Sequence, residues 1–142
     1  MKILMLTPYL PYPLLTGGQT RSFNLIKRLS SLGHEITLFS LVKNSDERKY
    51  VGQLKKYCKE VEVFNRSEKP WTLGNIMRTA LSFFPFLVIR NWAKGEKAAI
   101  ERKLKEEDFD LIHAETFYVM PHIPKTRVPI LLVEQTIEYL VY

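Results

Sequence analysis

Residues Lys2 to Gly33, KILMLTPYLPYPLLTGGQTRSFNLIKRLSSLG, decide how this chain folds. Ile3 to Thr7 is a short apolar run, as expected of a strand buried on both faces of a parallel sheet. Pro8, Pro11 and Pro13 follow, and with Gly17 and Gly18 they make a loop that cannot be helical. From Gln19 the period changes. Leu25, Ile26, Leu29 and Leu32 recur at helical spacing, Gly33 stands where a C-terminal cap belongs, and Thr16 is a candidate N-cap.

The same alternation runs downstream. His34 to Val42 reads as a second strand, Asp46 to Tyr57 as a polar helix with Val51 and Leu54 turned inward, and Val61, Val63 and Phe64 as a third strand. Strand, helix, strand, helix, strand implies right-handed crossovers and a parallel sheet. The expected class is therefore α/β, a Rossmann-like doubly wound fold over residues 1–142. Pro70 to Trp92 is aromatic and basic and predicts two short helices parted near Pro85. Lys94 to Glu107 predicts a charged helix with Glu101 and Lys105 paired four residues apart. Leu111 to Ala114 and Pro129 to Val133 supply a fourth and a fifth strand. Ile137 to Tyr142 starts an apolar helical pattern without a cap, which predicts a chain cut from a longer polypeptide.

A chain of 142 residues, 46% hydrophobic and 25% charged, can bury a core without metal or disulfides. Cys58 is the only cysteine, so no intrachain disulfide can form, and a reducing cytoplasmic setting is expected. The apolar stretch Ala80 to Ile89 contains Ser82 and Pro85 and falls short of the roughly 20 residues that span a bilayer. A net charge of +6 favours an anionic partner. The basic residues are interspersed with acids and carry no nucleic-acid motif, so no nucleic-acid partner is expected.

Ligands of open parallel sheets collect outside the carboxyl ends of the strands. The loop after Thr7, Ser40, Lys43, His113 to Tyr118 and Glu134 to Thr136 all map to that edge. Gly17 and Gly18 open the first helix, where backbone amides can approach an anion such as a diphosphate. Because the loop is not G-x-G-x-x-G and holds no Walker A pattern, dinucleotide and P-loop readings lose their support. Thr7 and Pro8 stand where a receiver domain needs acids.

Taken together, Lys2-Ile3-Leu4-Met5-Leu6-Thr7-Pro8-Tyr9, then Gly17-Gly18 and Arg21, resemble family-4 glycosyltransferases of GT-B fold. Leu32-Gly33-His34-Glu35-Ile36-Thr37-Leu38 resembles their GHEVT strand, Asp110 to Glu115 their DVIHAH strand, and Glu134 to Glu138 their EHNVE stretch. The succession covers nearly the whole chain. The resemblance implies the N-terminal, acceptor-side half of a retaining, metal-free enzyme. Such an enzyme moves a sugar from a nucleotide-sugar co-substrate to a glycan or lipid-linked hydroxyl acceptor. The C-terminal donor domain with its E-x7-E motif is absent from these residues, so this half alone is expected to be inactive.

By the same resemblance, Gly17 and Gly18 lie against the donor diphosphate, while Tyr9, Gln19, Arg21 and Glu134 face the acceptor. His113 and Glu115 stand at the catalytic position, Glu115 where many members carry histidine. Gln135 and Thr136 replace the His-Asn of the related motif. The implied setting is cytoplasmic, peripheral at the inner face of the membrane. Trp71, Phe83, Phe84 and Arg90 are the membrane-interface candidates, since aromatics suit headgroup depth and arginines suit phosphates; the alternative for this segment is a helical pair that covers the sheet. The competing expectation is a stand-alone Rossmann-like module that binds an anionic small molecule or a protein partner.

Overall fold

The computed structural model describes residues 1–69 and 71–134. Five parallel strands among them form one sheet, in the order β3-β2-β1-β4-β5. The strands are β1 (Lys2–Thr7), β2 (Glu35–Val42), β3 (Glu60–Asn65), β4 (Leu111–Glu115) and β5 (Ile130–Val133). The helices are α1 (Gly17–Ser31), α2 (Val51–Leu54), α3 (Leu73–Leu81), α4 (Phe86–Arg90) and α5 (Glu96–Glu106).

Central β1 needs two apolar faces, and its unbroken run supplies them. Leu4 and Leu6, with Phe39, Leu41 and Ile112, pack under Ala99 and Ile100 of α5. Met5, Ile36 and Leu38 pack on the opposite side under Phe23 and Ile26 of α1 and Leu54 of α2. Helices on both faces make the sheet doubly wound, as expected. Thr16 caps α1, its Oγ1 accepting the Gln19 N–H at 3.2 Å. Gly33 ends the helix at φ 81°, a conformation that costs glycine little.

The structure departs from the sequence reading in three helices. Helix α1 begins at Gly17, not Gln19, so the two glycines expected in the loop are its first turn, directly after the Thr16 cap. Residues 46–57 do not form one helix: a 3₁₀ turn, Ser45–Tyr50, runs into the single turn of α2. Val51 and Leu54 offer too little apolar surface to sustain a longer helix, and Gly52 lies between them. In α5 the pairs four residues apart are Arg102–Glu106 and Lys103–Glu107, not Glu101–Lys105. Burying Ala99 and Ile100 fixes the roll of α5 so that Lys103 meets Glu60 of β3. The two short helices around Pro85 form as expected. Gln135, Thr136, Glu138 and the helix expected over 137–142 lie outside the described residues.

Strand order turns at β1, which pairs with β2 on one side and β4 on the other. The chain leaves β1 and β4 in different directions there, which opens a crevice at their carboxyl ends. At the opposite rim Lys59, Lys2 and Lys103 surround Glu107, and the hydrogen bond from Lys59 is the main cause holding that carboxyl below its usual range.

Candidate functional site

His113 and Glu115 lie two residues apart on β4, so both side chains point to the α1 side of the sheet. His113 Nε2 stands 2.8 Å from Glu115 Oε1. Arg21, from the second turn of α1, places Nη1 2.8 Å from both Glu115 oxygens. The glutamate side chain is fully buried while that of Arg21 stays 44% exposed. A buried carboxylate is tolerated only when paired, and Arg21 supplies the pairing charge. Glu115 therefore orients Arg21, and the guanidinium keeps further N–H donors for the crevice. Arg21, expected to face the acceptor, has its charge partly neutralised by Glu115.

A hydroxyl relay fixes the loop after β1. Thr7 Oγ1 donates to Ser40 Oγ at 2.8 Å, and Ser40 Oγ donates to the Tyr9 carbonyl at 2.9 Å. Tyr9 is half-buried, its hydroxyl 3.4 Å from Ser22 Oγ. Gln19 is a brace: Nε2 donates to the Leu10 carbonyl, while Oε1 accepts from the Leu15 N–H and the Thr16 hydroxyl. Its amide is thus committed to the loop, and what it offers a ligand is the wall of a cleft.

Gly17 and Gly18 form the first turn of α1, which carries no acidic residue. A Cβ built on Gly17 meets nothing within 4 Å. Among the described residues only Gly33 and Gly95 are glycines with positive φ, so the pair is not explained by a turn that needs such a conformation. No described group accepts a hydrogen bond from either glycine N–H, and these amides point from the helix start.

One conformation beside the site was not legible in sequence. Thr116 follows Glu115 at φ 71° and ψ 155°, a conformation nearly confined to glycine, and its buried Oγ1 has no hydrogen-bond partner. Its N–H donates to the Val133 carbonyl at 2.8 Å, which pins the strand end. Glu134, expected at the acceptor, accepts the Phe117 N–H at 2.7 Å and so holds the segment after β4.

A 340 Å³ cleft opens between the proline-rich loop and the ends of β2 and β3, with Tyr9, Tyr12, Lys43, Glu47, Tyr50 and Arg66 in its walls. Arg66, the residue after β3, is half-buried, and its Nε is buried without a partner; the same holds for Arg90 at the end of α4. Burial, then the nearby Arg90 charge, push the Arg66 guanidinium below its ordinary value, and Glu47 partly offsets this. Arg90, a membrane-interface candidate, is thus half-buried with its Nε shielded from solvent.

The other interface candidates are exposed. Phe83 is at 108% and Trp71 at 75% of full exposure, Trp71 stacking on Phe86. Phe84 tilts against Trp92 at 5.9 Å. Met77, Arg78 and Leu81 continue this surface along α3. No helix among the described residues is long and apolar enough to cross a membrane.

Behind α4 lies a buried ionisable pair. His122 Nδ1 stands 3.1 Å from Glu96 Oε2 without hydrogen-bond alignment, and the Ala93 N–H donates to His122 Nε2 at 3.3 Å. An accepting Nε2 leaves the ring proton on Nδ1. Burial pushes the Glu96 carboxyl up to about 8 and the His122 ring down to about 4. Burial likewise pushes the Cys58 thiol up to about 12, so it packs as a small hydrophobe.

Among the described residues no group of three or more His, Cys, Asp or Glu is arranged to hold a metal ion. Comparison of the chain with family models, with curated proteins and with solved structures gives no match.

Proposed function

We propose that this chain is the acceptor-side Rossmann-like half of a retaining GT-B glycosyltransferase, active together with a second domain that holds the nucleotide-sugar. The observation that carries the reading is the junction of α1 with the end of β4. Residues far apart in sequence, Arg21 and Glu115, meet at 2.8 Å beside the start of α1, on one rim of a switch-point crevice. The unpartnered amides of Gly17 and Gly18 and the outer donors of Arg21 would face the diphosphate. There they stabilise charge that grows on the leaving group. His113 and Glu115 act as positioning residues, since Glu115 spends its oxygens on Arg21 and His113. Tyr9 and the cleft beside it receive the acceptor.

Contact with the cytoplasmic face of a membrane through α3 and the following turn belongs to the same proposal, supported by the exposed Trp71, Leu81 and Phe83 beside Arg78. The test is release of nucleoside diphosphate by the whole polypeptide containing this chain, screened across common nucleotide-sugars with soluble and lipid-linked acceptors. Release is expected with one donor, and Arg21→Gln should lower kcat by about 100-fold. No release with any donor overturns the reading. The alternative, a stand-alone module for an anionic small molecule, draws on the Arg66 cleft. It is favoured if an anion binds but no donor is turned over.

A further inference from the structure

The positive charge left unspent at the carboxyl rim is not on Arg21, which Glu115 engages, but beyond β3. Arg66 follows the last residue of that strand, and its N–H is tied to the Val42 carbonyl at 2.9 Å, so its backbone is fixed. It lines the cleft together with Lys43, and no ion pair reaches its side chain among the described residues. Arg90 lies close enough to repel it. Two like charges, each with a buried Nε lacking a partner, are costly to hold together. Among the described residues Glu47 is the one carboxylate in the cleft wall, and its Oε2 already accepts the Lys43 N–H at 3.0 Å. Arrangements that leave such a cost standing are typical of sites completed by a ligand.

We infer that this cleft binds the phosphate or carboxylate group of a small molecule, with Arg66 and Lys43 in contact and Arg90 reinforcing Arg66. The forked guanidinium suits either oxyanion. Tyr9, Tyr12 and Tyr50 supply flat apolar walls with hydroxyl tips, which suits the ring of a sugar or polyol. A volume of 340 Å³ lies at the lower end for ligand sites, so the anion belongs to something of monosaccharide size, not to a long glycan. The anion site stands without the transferase reading. Naming it the acceptor pocket, and the acceptor a phosphorylated or carboxylated sugar-like molecule, rests on that reading.

The test is calorimetric titration of the protein at fixed ionic strength with inorganic phosphate, glucose 6-phosphate, glucuronate and uncharged glucose, with melting temperatures alongside. Phosphate should bind saturably and raise the melting temperature. Arg66→Gln and Arg90→Gln should each weaken phosphate by about tenfold, while Arg28→Gln on the far end of α1 should not. Without phosphate, Arg66→Gln should melt no lower than the parent, because repulsion and a stranded donor leave together. The two sugars separate phosphate from carboxylate as the preferred group. Phosphatidylinositol vesicles, competed with glucose 6-phosphate, separate a lipid-borne phosphate from a free one. No saturable binding of any of the anions, binding untouched by Arg66→Gln, or a phosphate-free melting loss in that variant overturns the inference. Failure of nucleotide-sugar turnover with phosphate binding intact sinks only the transferase reading.

Discussion

Arg21 Nη1 lies 2.8 Å from both carboxylate oxygens of Glu115, and the two residues differ sharply in burial: the glutamate side chain is at 0% exposure, the arginine at 44%. Removing one partner is therefore not equivalent to removing the other. Arg21→Ala takes the pairing guanidinium from a buried carboxylate beside His113 and should cost about 3 kcal/mol. Glu115→Ala frees an arginine that already touches water and should cost less, and the double variant should recover part of the Arg21→Ala loss. Urea unfolding measures all three. Equal costs for the single variants would show that burial of the carboxylate is not the controlling term.

Thr116 carries strain at φ 71° and an unpartnered buried hydroxyl. Strain of this kind costs about 1–3 kcal/mol, and an added glycine costs about 1 kcal/mol in unfolded-chain entropy. Thr116→Gly should raise stability by about 1 kcal/mol. A clear drop in melting temperature would mean that the conformation is unstrained.

Glu96 and His122 make stability depend on pH in opposite senses. With its carboxyl raised to about 8 from 4.5, folded Glu96 holds a proton that the unfolded chain releases, so stability falls as pH rises between those values. With its ring lowered to about 4 from 6.5, folded His122 lacks a proton that the unfolded chain binds, so stability rises with pH between those values. The slopes oppose each other from 4.5 to 6.5. Above 6.5 only the Glu96 decline remains, on the order of 2 kcal/mol by pH 8. Glu96→Gln should abolish that decline in unfolding midpoints taken across the range; a decline that persists would rule Glu96 out as its source.

Gly17 has open space where a Cβ would go and lies in the first turn of α1. Gly17→Ala should leave the fold unharmed or stabilise it by about 0.5 kcal/mol. If the α1 start meets a diphosphate, the same change should weaken binding of a nucleoside diphosphate to the whole polypeptide. Unaltered affinity would remove Gly17 from the site.

Phe83 and Leu81 are exposed at 108% and 84%, so replacing both with serine removes little packing. Burying two such side chains in a bilayer interface is worth about 3 kcal/mol or more. Sedimentation with anionic vesicles should therefore fall at least about tenfold in the double variant. Equal sedimentation, with an unchanged melting curve, would exclude this surface as the membrane contact.

Period and punctuation in the sequence were enough for the strands, the α1 caps, the break at Pro85 and the sheet's doubly wound class, because these follow from local backbone preference and apolar repeat. They failed where tertiary packing overrode a weak local signal. Residues 46–57 lack the apolar stripe that would sustain one helix, and the roll of α5 is fixed by Ala99 and Ile100 packing on the sheet, not by its surface charges. In the candidate site the sequence marked Arg21, His113 and Glu115 as separate points but could not show that one neutralises another. It gave no sign of the cleft lined by Arg66, the buried Nε of Arg90, or the Thr116 conformation.

What the chain's residues determine unaided is thus the layered scaffold and the polar groups at the carboxyl edge of its sheet. Only the folded arrangement decides which charges at that edge are cancelled and which remain available, since Coulomb interactions depend on distances between residues that the order of the chain does not encode.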